Sequence, residues 1–109
     1  MTPTKYTIHG NHDGDTLYAD VQLLGTLWLI GEKIRVAGVN CPELPSVEGM
    51  EAADFTKNWI ASHKFVLDLK PTRDKYGRLI GDLYSVDGEK LSTALLGSGH
   101  AVAYRELEE

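Results

Sequence analysis

The alternation of apolar and polar residues predicts a chain dominated by short strands. Leu17, Ala19 and Val21 alternate with polar or aromatic side chains, which is the period-two pattern of a half-buried strand. Arg35 falls in a similar alternation, on the face opposite the one that should be buried. Pro71 is expected to end a strand, because proline has no backbone N–H to donate. Strands are predicted at residues 5–9, 16–24, 27–30, 33–39, 64–69 and 79–86.

Two segments have helical rather than strand patterns. Residues 46–63 carry an apolar stripe at three- and four-residue spacing, and Ser46 is placed to cap the helix at its start. The stripe consists of Ala52, Phe55, Trp59 and Ile60. Residues 91–99 predict a short second helix. The order strands, helix, strands, helix favours an α+β fold, mainly β, with a small sheet or barrel capped by helices.

Length and composition indicate an ordinary globular protein. A chain of 109 residues with 42% hydrophobic and 25% charged residues fits one domain, residues 1–109. No apolar run approaches the roughly 18 residues that cross a bilayer, and the first ten residues lack the apolar segment of a signal peptide. A lone cysteine, Cys41, excludes an internal disulfide. We therefore expect a cytoplasmic, membrane-free monomer, although a leader trimmed from the chain stays an open alternative.

The charge is acidic overall but locally basic. The formal net charge of −5 argues against a protein that coats nucleic acid by bulk charge. Between Lys64 and Arg78, however, five lysines and arginines face only two aspartates. A polyanion would therefore meet a basic patch on an acidic body.

Three polar clusters carry the candidate chemistry. The first is the Asp13-Gly14-Asp15 turn, the second runs from Arg35 to Glu43, and the third is residues 74–78. Carboxylate and amide oxygens are hard ligands suited to Ca²⁺ or Mg²⁺, and two arginines in separate segments suit phosphate. A glutamate beside such an ion can deprotonate water. Together these groups describe phosphodiester hydrolysis.

Each cluster also has a plain structural interpretation. Asp-Gly is common turn chemistry, a strand arginine is usually a solvated surface residue, and residues 74–78 can be only a loop. Asp20 and Asp82 are expected on strand surfaces rather than at a metal. The three clusters together, in this order, favour the functional interpretation.

The order of the motifs resembles the staphylococcal nuclease, or thermonuclease, family. The motifs are DGDT, R-x-x-G-V-N-C-P-E, E-A-x-x-F-T-K, DKYGR and A-L-L-x-x-G-x-A, and they extend from Asp13 to Tyr104. The hairpin with Trp28 and the short segment after Glu43 are similar to a phage-type branch. The resemblance implies a five-stranded OB-fold barrel with about three helices.

The resemblance also implies a role for each site residue. Arg35, Glu43 and Arg78 would be catalytic, with Glu43 as the base that activates water and the arginines on the phosphate. Lys75, Tyr76 and Tyr104 would contact a neighbouring phosphate and base. The calcium ligands would be Asp15, Asn40 and the Cys41 backbone carbonyl, with Asp13 in the outer shell. Asn40 departs from the family pattern, which has an aspartate at that position.

The implied function is a Ca²⁺-dependent, sugar-nonspecific endonuclease that cleaves DNA and RNA and leaves 3′-phosphate ends. Mg²⁺ or Mn²⁺ are alternative ions, since Asn40 removes one negative charge from the implied site. The competing hypothesis is an OB-fold module that binds nucleic acid or a partner with weak or no turnover. Retention of Arg35, Glu43 and Arg78 favours the enzyme, and Asn40 keeps the alternative open.

Overall fold

The computed structural model describes residues 1–104, which form seven strands and two helices. The strands are β1 (Lys5–Asp13), β2 (Thr16–Leu23), β3 (Leu27–Val36), β4 (Val39–Asn40), β5 (Phe65–Arg73), β6 (Leu79–Ser85) and β7 (Val102–Ala103). The helices are α1 (Val47–Ser62) and α2 (Leu91–Gly97). The α+β, mainly β class is confirmed, with two helices in the described residues where the resemblance implies about three.

Five strands form one sheet in the order β1-β2-β3-β6-β5. All neighbours are antiparallel except β3 and β6, which run parallel over Ile34–Val36 and Leu79–Gly81. The Tyr6 hydroxyl of β1 donates to the Phe65 carbonyl at 3.0 Å and accepts from the Leu67 amide at 3.2 Å. These bonds join the two outer strands of the sheet, as in an OB-like barrel. Strands β4 and β7 form a separate two-stranded sheet.

The core follows the predicted alternation. Leu17, Ala19 and Val21 are fully buried, and the stripe of α1 meets them through Ala52 and Trp59. Ser46 caps α1 as predicted, because its hydroxyl accepts from the Gly49 amide at 3.0 Å. No helix of residues 1–104 is long and apolar enough to span a membrane.

Three local predictions were wrong. Pro71 does not end β5, which continues to Arg73, because the proline lies in the register shift between Leu69 and Arg73 on an outer strand where no ladder donor is needed. The predicted strands at 27–30 and 33–39 are instead one long strand, β3, which ends at Val36. Asp82 is buried rather than on a surface, since α2 packs against β6 at that point.

Candidate active site

A polar cleft of about 630 Å³ lies between the β1–β2 turn, the end of β3, β4 and the loop before β6. Every site residue singled out from the sequence lines this cleft, although the residues come from separate parts of the chain. They are Asp13, Asp15, Arg35, Asn40, Cys41, Glu43, Lys75, Tyr76, Arg78 and Tyr104. The fold therefore brings the three polar clusters to one place, while their individual roles stay predictions.

Helix α1 holds the turn that carries the two aspartates. The buried Thr56 hydroxyl donates to the Gly14 carbonyl at 2.6 Å. The Asn11 side-chain amide donates to the carbonyls of Asp13 and Ala53, both at 3.0 Å. Hydrogen bonds from β1 and α1 therefore hold the turn in place, in addition to the bonds within the turn itself.

Gly14 is required by close packing rather than by an unusual backbone angle. A Cβ at this position would lie 2.7 Å from the Cys41 sulfur and 2.9 Å from the Ala52 Cβ, both closer than side chains tolerate. The missing side chain lets the turn pack directly on Cys41, the residue after β4, and on α1. This contact places Asp15 beside the backbone of Cys41.

Asp15 is a buried carboxylate with incomplete charge compensation. Its Oδ2 accepts from the Cys41 amide at 2.8 Å and lies 3.2 Å from Arg35 Nη1. Burial raises the pKa of Asp15 above its ordinary value, and the nearby Asp13 adds to this, whereas the Cys41 amide and Arg35 act in the opposite direction. A further positive charge in the cleft would therefore favour the ionised form of the Asp15 carboxyl group.

Arg35 lines the cleft from β3, on the face of the strand that the alternation predicts. Its Nη1 donates to the Val36 carbonyl at 3.1 Å and its Nη2 donates to Asn40 Oδ1 at 3.2 Å. The guanidinium carbon lies 5.5 Å from the centre of the Tyr104 ring, within the range of a cation–π contact. These contacts leave the side chain only 13% exposed, so its direction is restricted.

The loop between β5 and β6 is organised by Asp74. One carboxylate oxygen accepts from the amides of Tyr76 and Arg78, each at 2.9 Å, and the other accepts from Arg78 Nε at 2.7 Å. Burial opposes ionisation of Asp74, but the hydrogen bonds from Arg78 and Tyr76 outweigh it and lower the pKa. Asp74 contacts Arg78 through Nε. The two terminal nitrogens of Arg78 can therefore donate side by side to one phosphate.

Tyr76 of this loop is 73% exposed, and it is flanked by cations. Lys75 Nζ lies 5.4 Å and the Arg78 guanidinium carbon 5.5 Å from the centre of its ring. The loop thus presents an aromatic surface next to two positive charges, the combination that single-stranded nucleic acid contacts through bases and phosphates.

Glu43 has a fixed backbone and an exposed side chain. Its carbonyl accepts from the Ser46 amide at 3.3 Å and from the Ser46 hydroxyl at 2.7 Å. A Cβ on Gly49 would lie 2.5 Å from this carbonyl oxygen, so the glycine permits the approach. The start of α1 therefore anchors Glu43 at the rim of the cleft and leaves its carboxylate free to reach a water or a substrate.

The donor set of the cleft fits a hard divalent cation with low ligand charge. Asp13 and Asp15 supply carboxylate oxygens and Asn40 supplies an amide oxygen, which are ligands of the kind that Ca²⁺ and Mg²⁺ prefer. Within residues 1–104 no group of three or more His, Cys, Asp or Glu side chains could hold a metal ion. Any bound cation would thus depend on Asp15, Asn40 and backbone oxygen rather than on a dense carboxylate cage.

Sequence reasoning missed the residues that orient the site. Asn11 and Thr56 hydrogen-bond the turn that carries the two aspartates, and Thr56 acts on Gly14 across 42 residues of sequence. Such long-range partners leave no local signal. Asp74 was singled out as part of the polar cluster at residues 74–78, but its role in holding Tyr76 and Arg78 was not predicted.

The mainly β fold, with its outer strands joined and a polar cleft on one side, assigns the chain to the class of OB-like domains. Residues 33–109 match the family described as staphylococcal nuclease homologue, and the chain belongs to that family. The resemblance found in the motifs is thereby confirmed, while the phage-type branch stays a prediction.

Named relatives show the same similarity. The chain is 30% identical over 74 residues to a protein named uncharacterized endonuclease in Escherichia coli and in Escherichia coli O157:H7, covering 68% of this chain and 48% of the relative. It is 29% identical over 105 residues to Endonuclease YhcR of Bacillus subtilis strain 168, covering 84% of this chain and 8% of the relative. The chain spans about half the length of the Escherichia coli relatives.

Proposed function

We propose that the chain is a divalent-metal-dependent nuclease that hydrolyses phosphodiester bonds in DNA and RNA, with Ca²⁺ as the principal ion. One observation carries the proposal: ten chemically suited residues from separate segments line a single cleft. Membership of the staphylococcal nuclease family and three relatives named endonucleases support the same class of activity.

In this proposal Glu43 acts as the general base. Its carboxylate is exposed at the rim of the cleft while its backbone is held at the start of α1. It accepts a proton from the water that attacks the phosphorus. The bond between the phosphorus and the 5′ oxygen on the opposite side breaks, and that oxygen takes up a proton from solvent. A bound cation would supply charge neutralisation at the phosphate.

Arg35 and Arg78 bind the phosphate and stabilise the charge that builds in the transition state. Each is held by a partner that restricts its direction, Asn40 for Arg35 and Asp74 for Arg78. Preorganised donors of this kind contribute more than mobile ones, because they need no rearrangement during the reaction. Lys75, Tyr76 and Tyr104 would contact a neighbouring phosphate and base.

Substitution of the base tests this mechanism. Glu43→Gln should lower turnover on single-stranded DNA and on RNA by about 10²- to 10⁴-fold, the range for loss of a general base. Glu51→Gln, an exposed glutamate on α1 outside the cleft, is the matched control and should keep parental activity. Folding of both variants can be compared by circular dichroism. Parental cleavage by correctly folded Glu43→Gln protein would remove Glu43 from the mechanism.

The second candidate function is binding without turnover, and Asn40 is the observation that favours it. A neutral side chain at the predicted ligand position reduces the charge available to a cation. Under this alternative the parent protein binds single-stranded DNA but leaves it intact with Ca²⁺, Mg²⁺ and Mn²⁺ alike. Cleavage that Glu43→Gln abolishes excludes it.

A further inference from the structure

A smaller groove lies beside the cleft and is lined by residues of β5, β6 and α2. The groove has a volume of about 250 Å³ and shares Ala37, Gly38 and Lys70 with the cleft as common walls. Tyr84 and Lys90 line the groove but not the cleft. We call this feature the side groove. The shared residues place the side groove next to the candidate active site.

Strand register explains why the lining side chains face the same way. Asp68 pairs with Asp82 and Val66 pairs with Tyr84 across β5 and β6, and Lys70 lies two residues beyond Asp68. Residues two apart in a strand share a face. The Lys90 ammonium lies 5.2 Å from the centre of the Tyr84 ring. The side groove therefore combines an aromatic surface with lysines at both ends.

Two carboxylates also line the side groove, and both are engaged. Asp82 is buried and accepts from the amides of Leu83 and Ser92, at 2.9 and 3.2 Å, and from the Ser92 hydroxyl. Asp68 accepts from the Met1 nitrogen at 2.6 Å. The lysines are exposed, so the side chains most free to meet a ligand in the side groove are basic.

We propose that the side groove binds the next nucleotide of a single strand whose scissile phosphate lies in the cleft. Lys70 and Lys90 would contact a phosphate and Tyr84 would stack on a base. At about 250 Å³ the side groove is smaller than the roughly 300–1,000 Å³ of independent small-molecule pockets, so it suits one unit of a longer chain. This inference rests on the proposed nuclease function.

Substrate length tests the inference. Steady-state cleavage is compared between the dinucleotide of thymidine and a twelve-residue oligothymidylate, for the parent, Lys90→Ala and Lys57→Ala. Lys57 is an exposed lysine on α1, away from both cavities, and controls for net charge. Lys90→Ala should raise KM for the longer substrate by about tenfold at low salt, because one contact with a phosphate is lost. The KM for the dinucleotide should not change, because this substrate does not reach the side groove. Lys57→Ala should match the parent on both.

Binding measured in EDTA keeps the test independent of cleavage. For the oligothymidylate, the slope of log affinity against log salt should fall by about 0.7 in Lys90→Ala, as expected for one phosphate contact on a single strand. Tyr84→Leu should weaken binding by roughly 5- to 100-fold through lost stacking. If the parent binds the strand but cuts no substrate, the nuclease proposal fails. The difference in salt dependence between the parent and Lys90→Ala then still shows whether the side groove binds a phosphate. Lys90→Ala and Tyr84→Leu proteins that bind as the parent does would overturn the inference.

Discussion

At the scale of single residues, Asn40 is the predicted metal ligand whose side chain carries no charge. Its side-chain oxygen accepts from Arg35 Nη2 at 3.2 Å, and Nη1 of the same arginine lies 3.2 Å from the Asp15 carboxylate. A neutral ligand at this point lowers the charge that a cation meets. We therefore expect a weak site, with half-saturation in the high micromolar to millimolar range, roughly that of low-charge calcium sites.

A negative charge at residue 40 should raise the affinity of the predicted site for Ca²⁺. Asn40→Asp is expected to tighten Ca²⁺ binding and to lower the Ca²⁺ concentration that gives half-maximal cleavage, because it adds a carboxylate beside Asp15. Titration calorimetry of the parent and the variant measures this directly. Asn58→Asp, on the exposed surface of α1, adds the same charge away from the cleft and should bind as the parent does. Equal affinity of Asn40→Asp and the parent would show that residue 40 is not a ligand.

The sequence was sufficient to find the residues that line the cleft but not those that hold them in place. Arg35 and Glu43 stand in short motifs with recognisable spacing. Thr56 looks like an ordinary polar residue of a helix, and only the fold brings its hydroxyl to the Gly14 carbonyl. A hydrogen bond between distant segments depends on tertiary packing, which local pattern does not encode.

At the scale of elements, the candidate site depends on how closely the β1–β2 turn packs against α1 and β4. Gly14→Ala should lower the free energy of unfolding by about 1–3 kcal/mol, since the new methyl overlaps the Cys41 sulfur and the Ala52 Cβ. The shifted turn should also weaken Ca²⁺ binding. Urea denaturation monitored by fluorescence gives the stability of both forms.

Gly97→Ala is the matched control for this prediction. A Cβ at Gly97, in the last turn of α2, would meet nothing within 4 Å, so alanine should be neutral or stabilising by up to about 1 kcal/mol. Equal stability of Gly14→Ala and the parent would mean that the turn can move without cost. In that case, close packing at Gly14 would not explain the position of Asp15 beside Cys41.

Element boundaries were the least predictable part of the fold. The helix at 46–63 was found within one residue at each end, because its cap and apolar stripe are local signals. Pro71 misled the strand prediction, since a proline is tolerated where an outer strand shifts register and needs no donor. Whether a strand is central or outer is decided by the whole sheet, so the sequence of β5 alone could not show it.

At the scale of the whole molecule, the Tyr6 hydroxyl joins the first and last strands of the five-stranded sheet. Tyr6→Phe leaves the Leu67 amide and the Phe65 carbonyl without this partner. Unsatisfied buried groups cost about 1–3 kcal/mol, so the free energy of unfolding should fall by that amount. Faster hydrogen exchange at the Leu67 amide should accompany the loss. Tyr76→Phe, on a largely exposed ring, should leave both measurements unchanged, and an unchanged Tyr6→Phe protein would contradict this role.

The central claim is that a divalent cation in the cleft enables phosphodiester cleavage, and one assay tests it most directly. Single-stranded DNA, plasmid and RNA are incubated with the parent protein after EDTA treatment and dialysis, and Ca²⁺, Mg²⁺ or Mn²⁺ is then titrated back. The account predicts no cleavage in EDTA and a return of activity with added cation, half-maximal in the high micromolar to millimolar range, with Ca²⁺ effective on both DNA and RNA. Cleavage that persists undiminished in EDTA, or no cleavage with any of the three ions, would contradict it.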